Sequence, residues 1–215
     1  MHGHLRAVSV SYQTIADLRS QLGQPAGSQT RSPEYVAKML HPLPPAVSVK
    51  RDVFLAKHAT GKRVLDIGAS GPLGQALRLV ASAYAGIDRE DDGAAVIGFD
   101  LDDVQQTALP TPPFTPELIV CGEVLEHLSN PGWFLTRLHR QFPGVPTLIS
   151  VPNAFAAIQQ RWIAKGTENV NRDHVAWYSP QTVRVLLERA GYTAQRVFWY
   201  GGDGPTAEGL IVACE

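Results

Sequence analysis

The stretch VLDIGASGPLG, Val64–Gly74, constrains the fold of this chain more than any other. Val64, Leu65, Asp66 and Ile67 read as a short buried strand. They run directly into Gly68, Ser70, Gly71 and Gly74, small residues that let a backbone turn sharply and approach a ligand. Leu73, Ala76, Leu77 and Val80 then fall at helical spacing, which predicts a helix over Pro72–Ala83 with Pro72 in its first turn. Strand, glycine-rich turn and helix, in that order, is how open α/β sheets build a nucleotide site. Asp66 departs from the dinucleotide version of that site, which ends its first strand in apolar residues and turns a helix N-terminus toward a pyrophosphate. A carboxylate two residues before the turn repels phosphate and suits a cationic ligand that carries an amine.

At 215 residues the chain is most simply one domain, with a core that needs neither disulfide nor metal. Hydrophobic residues are 44% and charged ones 18%, which favours a globular over a disordered chain. The formal charge of −1 gives no general attraction to nucleic acid or to an anionic membrane. Cys121 and Cys214 lie far apart in apolar runs and read as buried thiols rather than a disulfide. The segment MHGHLRAVSV lacks a signal peptide's apolar run, and no run of about 18 apolar residues appears, so no membrane span and a cytoplasmic location are expected.

Residues 1–60 read as helices broken by loops. Ile15, Leu18 and Leu22 form a stripe ending at Gly23; Ser32-Pro33 opens a short helix through Leu40, which HPLPPA breaks; Ser48 could cap a third helix, Val49–Ala59, with Val53 and Phe54 inward. Beyond the glycine turn, Ala83–Asp88 reads as a second strand ending in Asp88. An acid about twenty residues past such a turn can accept both ribose hydroxyls of a nucleoside. Ala95–Asp100 is the third strand, reached by an abbreviated crossover through REDDGA; Asp102 and Asp103 are expected in solvent. The fourth strand, Glu117–Gly122, leads to Glu123-Val124-Leu125-Glu126-His127. If that segment is helical, Glu123, Glu126 and His127 share a face at the ligand-binding edge of the sheet. Two carboxylates and an imidazole converging there call for a positive charge between them, such as magnesium, manganese, iron or zinc. Asn130-Pro131 opens a helix over Trp133–Phe142, and Pro146–Asn153 is the fifth strand. The polar and aromatic segment Ala154–Tyr178, with Arg161, Trp162, His174, Trp177 and Tyr178, reads as a functional loop. Ser179-Pro180 caps a helix ending before Gly191, and strands Ala194–Tyr200 and Gly209–Cys214 finish the sheet.

The order of elements, the acids after strands two and three, and the VLEHL and LISVPN segments resemble class I S-adenosylmethionine-dependent methyltransferases over about residues 60–215. S-adenosylmethionine, with a sulfonium, an ammonium and no phosphate, is a ligand that Asp66 suits. Ser70 stands where the commonest pattern has its middle glycine, which a serine tolerates if φ stays negative. The resemblance implies an α/β, Rossmann-like, seven-stranded and mostly parallel sheet with helices on both faces and an antiparallel last strand, in residues 61–215. It also implies an N-terminal helical extension, 1–60, that could serve as a lid. Cofactor contacts are implied for Asp66, Gly68, Ala69, Ser70 and Gly71 at the turn and for Asp88 at the ribose. Asp100 and the backbone of Leu101 would meet the adenine edge, with Cys121 and Glu123 at the end of the fourth strand.

GEVLEHLSNP and NRDHVAWYSPQTVRVLLERAGY are most similar to the ubiquinone-biosynthesis type of O-methyltransferase and its small-molecule relatives. The expected reaction is O-methylation of a small-molecule hydroxyl: a phenol, a catechol or a sugar. The E-x-x-E-H arrangement with a distant His also resembles small-RNA 2′-O-methyltransferases, whose two glutamates and two histidines hold a divalent ion beside the acceptor hydroxyls. Mapped here, those ligands are Glu123, Glu126, His127 and His174. Near-neutral charge and small size argue against an RNA acceptor. Without metal the same side chains could cap a helix or orient the cofactor, and His127 or His174 would be the catalytic base. An NAD-dependent oxidoreductase would share the strand, turn and acid, but Asp66 and Ser70 speak against it. A binding protein that has lost turnover is the third alternative, disfavoured by the long 154–178 loop. Oligomeric state stays open.

Overall fold

The computed structural model describes residues 33–105 and 107–215. The stripe at Ile15, Leu18 and Leu22 and its stop at Gly23 lie outside the described residues. The chain forms two compact units, Met1–His41 and Pro42–Glu215. In the first, α1 (Pro33–Met39) opens at a proline, whose fixed φ suits a first helical turn.

The second unit carries β1 (Ser48–Val49), α2 (Arg51–Ala59), β2 (Arg63–Ile67), α3 (Pro72–Val80), β3 (Ala83–Asp88) and β4 (Val96–Gly98). A 3-10 turn at Leu101–Gln105 precedes β5 (Leu118–Gly122), and a second, Leu125–His127, precedes α4 (Pro131–Gln141). The remainder is β6 (Thr147–Pro152), α5 (Ala157–Ile163), α6 (Pro180–Ala190), β7 (Ala194–Tyr200) and β8 (Gly209–Cys214). One sheet runs β1-β7-β8-β6-β5-β2-β3-β4, and β8 is antiparallel to both its neighbours while all other pairs are parallel.

The sheet has eight strands, one more than expected. Ser48 joins β1 instead of capping a helix, and Lys50 begins α2 without a side-chain cap. The edge is held from β7: the Trp199 backbone N–H donates to the Val47 carbonyl at 2.9 Å, and its indole N–H donates to the Pro45 carbonyl at 3.0 Å. A proline-rich segment lacks donors but keeps its carbonyls, so it can border a strand only as an acceptor.

Strand alternation divides the core. Leu65, Ile67, Ile119, Cys121, Ile149 and Val212 pack under α4 and α6, while Val64, Leu118, Val120, Leu148 and Ile211 pack under α2 and α3. Each fully buried Leu or Ile contributes about 1.5–3 kcal/mol, so both faces are covered. Leu55 and Ala59 of α2 are fully buried in the second cluster, whereas Val53, expected inward, is exposed and Phe54 is half-buried.

The helix expected over Pro72–Ala83 stops at Val80, since Ala83 opens β3, whereas three other helix signals act as read. The Asn130 side chain accepts the Trp133 N–H at 3.2 Å, Ser179 and Thr182 form a reciprocal capping box, and Gly191 closes α6 with φ 104. The REDDGA crossover is irregular as expected: Asp92 Oδ1 accepts the amides of Ala94, Ala95 and Val96 at 2.8–2.9 Å, which holds its carboxyl far below the usual range. β4 shrinks to three residues in consequence. The Ala154–Tyr178 segment is no bare loop, since it contains α5, a helix with no buried residue. Among the described residues no helix is long and apolar enough to cross a membrane.

Candidate active site

A cavity of about 420 Å³ opens where β2, β3 and β5 end and α2 begins, the edge at which open parallel sheets bind ligands. Its floor is the glycine turn. Gly68 has φ 77, and a Cβ there would lie 2.4 Å from Val124 Cγ2, so a side chain is excluded on two grounds. Ser70 is not among the residues with positive φ, so it fits the position of the usual middle glycine. Its backbone N–H donates to Asp88 Oδ2 at 2.8 Å, and Arg89 N–H donates to Oδ1 at 2.6 Å. A carboxylate offers about four acceptor sites; the two backbone amides fill two of them.

Of the residues expected at the cofactor, Gly68, Ser70, Asp88, Asp100, Leu101 and Glu123 line this cavity. Asp66 does not. Alternation along β2 puts it with Val64 on the α3 face, where it is 1% exposed and accepts the Tyr84 hydroxyl at 2.8 Å. Burial raises its carboxyl to about 7. Ala69 and Gly71 border a separate cavity of about 390 Å³ behind the turn, with Ser70 shared between the two. Cys121 is fully buried under α4 and α6, with its thiol pushed up by burial; the cavity wall passes instead through Gly122 and Glu123. Asp102, expected in solvent, accepts both the Ser129 N–H at 2.9 Å and the Ser129 hydroxyl at 3.0 Å, latching the Leu101 turn to the segment carrying Leu128. Asp103 is exposed as expected.

The E-x-x-E-H segment is not one helical face. Glu123 adopts φ 56, and only Leu125–His127 forms a single 3-10 turn. The four expected metal ligands therefore separate. Glu126, His127 and His174 present ligand atoms all within 4.8 Å of one another. Glu123 stands outside that group, its Oε1 accepting the Tyr200 hydroxyl at 2.6 Å and the Ser150 hydroxyl at 3.0 Å.

Glu126 is fully buried, and neither of its carboxylate oxygens has a hydrogen-bond partner among the described residues; the same is true of His174 Nδ1. Burial, then the nearby Glu123 charge, raises Glu126 to about 8. Burial, then His127, lowers His174. The two imidazoles meet edge-on with centroids 4.6 Å apart. The His174 loop is tied to the turn by the Val175 N–H donating to the Glu126 carbonyl at 2.7 Å and by the Tyr178 hydroxyl donating to the Leu125 carbonyl at 3.1 Å. Tyr178 is thus a buried support for that turn.

Sequence reading missed Arg51, Asp52, Ser150, Tyr200 and Gly209. Arg51 and Asp52 line the cavity from the start of α2, where no spacing relative to the glycine turn could mark them.

A mostly parallel sheet with one antiparallel strand, a glycine turn after β2, an acid closing β3 and a cavity above them define a class I S-adenosylmethionine-dependent methyltransferase. The chain matches the family described as "Methyltransferase domain" over residues 39–197, and it belongs to that family. No curated protein matches its sequence. Its fold is similar to that of an S-adenosylmethionine-dependent methyltransferase from Archaeoglobus fulgidus (14% identity, TM-score 0.57, covering 95% of this chain and 100% of that one). It is also similar to the small RNA methyltransferase HEN1 (16% identity, TM-score 0.61, 96% of this chain and 30% of that one). Magnesium protoporphyrin IX methyltransferase from Synechocystis PCC 6803, solved with bound S-adenosylhomocysteine, is similar at 15% identity and TM-score 0.52, covering 76% of this chain and 79% of that one.

The residues fit the cofactor. The cavity falls in the 300–1,000 Å³ range of small-ligand sites, the turn leaves room for close approach, and Asp88 keeps acceptor sites free.

Proposed function

We propose that the protein transfers the methyl group of S-adenosylmethionine to a hydroxyl of a small molecule, a phenol, catechol or sugar, as in the ubiquinone-biosynthesis type of O-methyltransferase. Glu126, His127 and His174 are read as the ligands of a divalent cation beside that hydroxyl. The carrying observation is Glu126: a fully buried carboxylate with neither oxygen bonded. An unpaired buried acid is costly, and a cation held between it and two imidazoles would offset that cost. Oxygen and imidazole donors suit manganese, iron or zinc, and magnesium less well.

When bound, S-adenosylmethionine supplies a methyl carbon already activated by its sulfonium. A divalent cation, when bound, supplies charge that lowers the pKa of a hydroxyl and a template that orients it. The protein aligns and desolvates. Asp88 and the amide-lined turn would hold the nucleoside and Asp100 with Leu101 would meet the adenine, all of them lining the cavity, and the His127 ring on the cavity wall meets that of His174 edge-on. Arg51 and Asp52 at the start of α2 line the same cavity.

A second, metal-free reading is favoured by His174, whose lowered pKa keeps it neutral and able to accept a hydroxyl proton at neutral pH. An RNA acceptor is disfavoured, since the formal charge of −1 provides no basic footprint.

Electron paramagnetic resonance of manganese binding, with S-adenosylhomocysteine present, tests the reading. Uptake of a single ion by the parent and its loss in His174→Ala support the cation site. No uptake by either returns Glu126 and His127 to structural roles and leaves His174 as the base.

A further inference from the structure

We infer that Tyr200, seated over Gly209, is a positioning residue that aims the Glu123 carboxylate into the cavity, where Glu123 and Arg51 grip the amino-acid end of the cofactor. The inference rests on the cofactor reading above.

Glu123 is the one non-glycine residue with positive φ among the described residues. Such a conformation persists only where surrounding contacts over-determine it. Those contacts come from three separate elements. Tyr200 at the end of β7 donates its hydroxyl to Oε1 at 2.6 Å, Ser150 of β6 donates at 3.0 Å, and the Arg51 guanidinium of α2 lies 3.9 Å away. All three fall on Oε1, which leaves Oε2 to a ligand.

Tyr200 makes its contact across an unusual distance in the sheet, because β8 and β6 lie between β7 and β5. Its ring must therefore pass over β8. The residue paired with Tyr200 on that strand is Gly209, and a Cβ there would sit 2.0 Å from Tyr200 Cζ and 2.1 Å from its hydroxyl oxygen. A glycine inside a strand often marks such a close approach. Here it gives the ring its bed. Arg51, whose Nε donates to Asp52 Oδ1 at 2.8 Å, also lies against the ring, its guanidinium carbon 5.6 Å from the centroid, within cation–π range. Burial and the Glu123 charge push the Tyr200 phenol well above its usual range, so it stays a donor.

One aromatic side chain thus touches both members of an opposite-charge pair that lines the cavity. A guanidinium and a carboxylate side by side complement the carboxylate and ammonium of an α-amino acid. The pair also lies at the correct end: Glu123 follows β5, on one side of β2, and Asp88 closes β3 on the other. The nucleoside and the amino-acid group are served by different walls.

Calorimetric titration of the full chain with two probes provides the test: S-adenosylhomocysteine, and 5′-methylthioadenosine, which keeps the nucleoside and thioether but lacks the amino acid. Tyr200→Phe should weaken S-adenosylhomocysteine about tenfold, the effect of losing a hydrogen bond to a charged group, and leave 5′-methylthioadenosine within about twofold. Ser150→Ala, a small change at a second donor to the same oxygen, should give a smaller loss with the same selectivity. Equal weakening of both probes, or of neither, in Tyr200→Phe and Ser150→Ala overturns the inference. Failure of the parent to bind either probe overturns the cofactor reading itself, and the inference with it.

Discussion

Replacing Asp66 by Asn should stabilise the protein above neutral pH while leaving cofactor binding almost intact. Asp66 is 1% exposed, and its one hydrogen bond comes from Tyr84, so burial dominates and raises its carboxyl from 3.8 to about 7. Between those values the folded state holds a proton that the unfolded chain has released. Stability therefore falls as pH rises through this interval, and the deficit is fully present above about pH 7. At 1.36 kcal/mol per pH unit the deficit has a ceiling of about 4 kcal/mol. Asparagine keeps the shape and an oxygen for Tyr84 but never ionises, so the variant should gain about 1–3 kcal/mol at pH 8 and much less near pH 4. Urea unfolding at both pH values measures the gain, and titration with S-adenosylhomocysteine measures binding, with Asp88→Asn as the comparison expected to lose affinity. The reasoning is refuted if Asp66→Asn gains nothing at alkaline pH, or if it loses affinity as Asp88→Asn does.

Two further substitutions probe the packing around the cavity. Gly74→Ala would place a Cβ 2.1 Å from the Ala69 carbonyl oxygen and 3.2 Å from Asp66 Oδ2; with backbone on one side and a buried acid on the other, it should cost about 2 kcal/mol or more, read from the urea midpoint. Asp102→Ala removes both bonds to Ser129; the half-exposed site limits the loss to about 1 kcal/mol, and steady-state kinetics should show a raised KM for the cofactor with kcat little changed.

Local chemistry made much of this architecture legible. The strand at Val64–Ile67, the glycine turn and α3 are encoded within one short stretch, and Asn130-Pro131, Ser179-Pro180 and Gly191 mark helix ends through their own side chains or φ preferences. What escaped depends on distant partners. β1 is two residues long, and it exists because β7 offers Trp199 to the Pro45 and Val47 carbonyls. Tyr200 and Gly209 look like ordinary strand residues until the order β7-β8-β6-β5 lays the Tyr200 ring over β8 toward Glu123. Helical periodicity puts the E-x-x-E-H residues on one face, but positive φ at Glu123 and a single 3-10 turn after it separate Glu123 from the group of Glu126, His127 and His174. The position of Asp66 before the turn suggests a ligand contact, but the alternation of β2 turns its side chain away from the cavity toward Tyr84.

The most direct measurement is transfer of a labelled methyl group from S-adenosylmethionine to a panel of catechols, phenols, sugars and amines, with and without a chelator. Label is expected on hydroxyl oxygen, with transfer to vicinal diols that the chelator suppresses and loss of activity in His174→Ala. Transfer to amines alone, or to nothing in the panel, would contradict the proposed O-methylation.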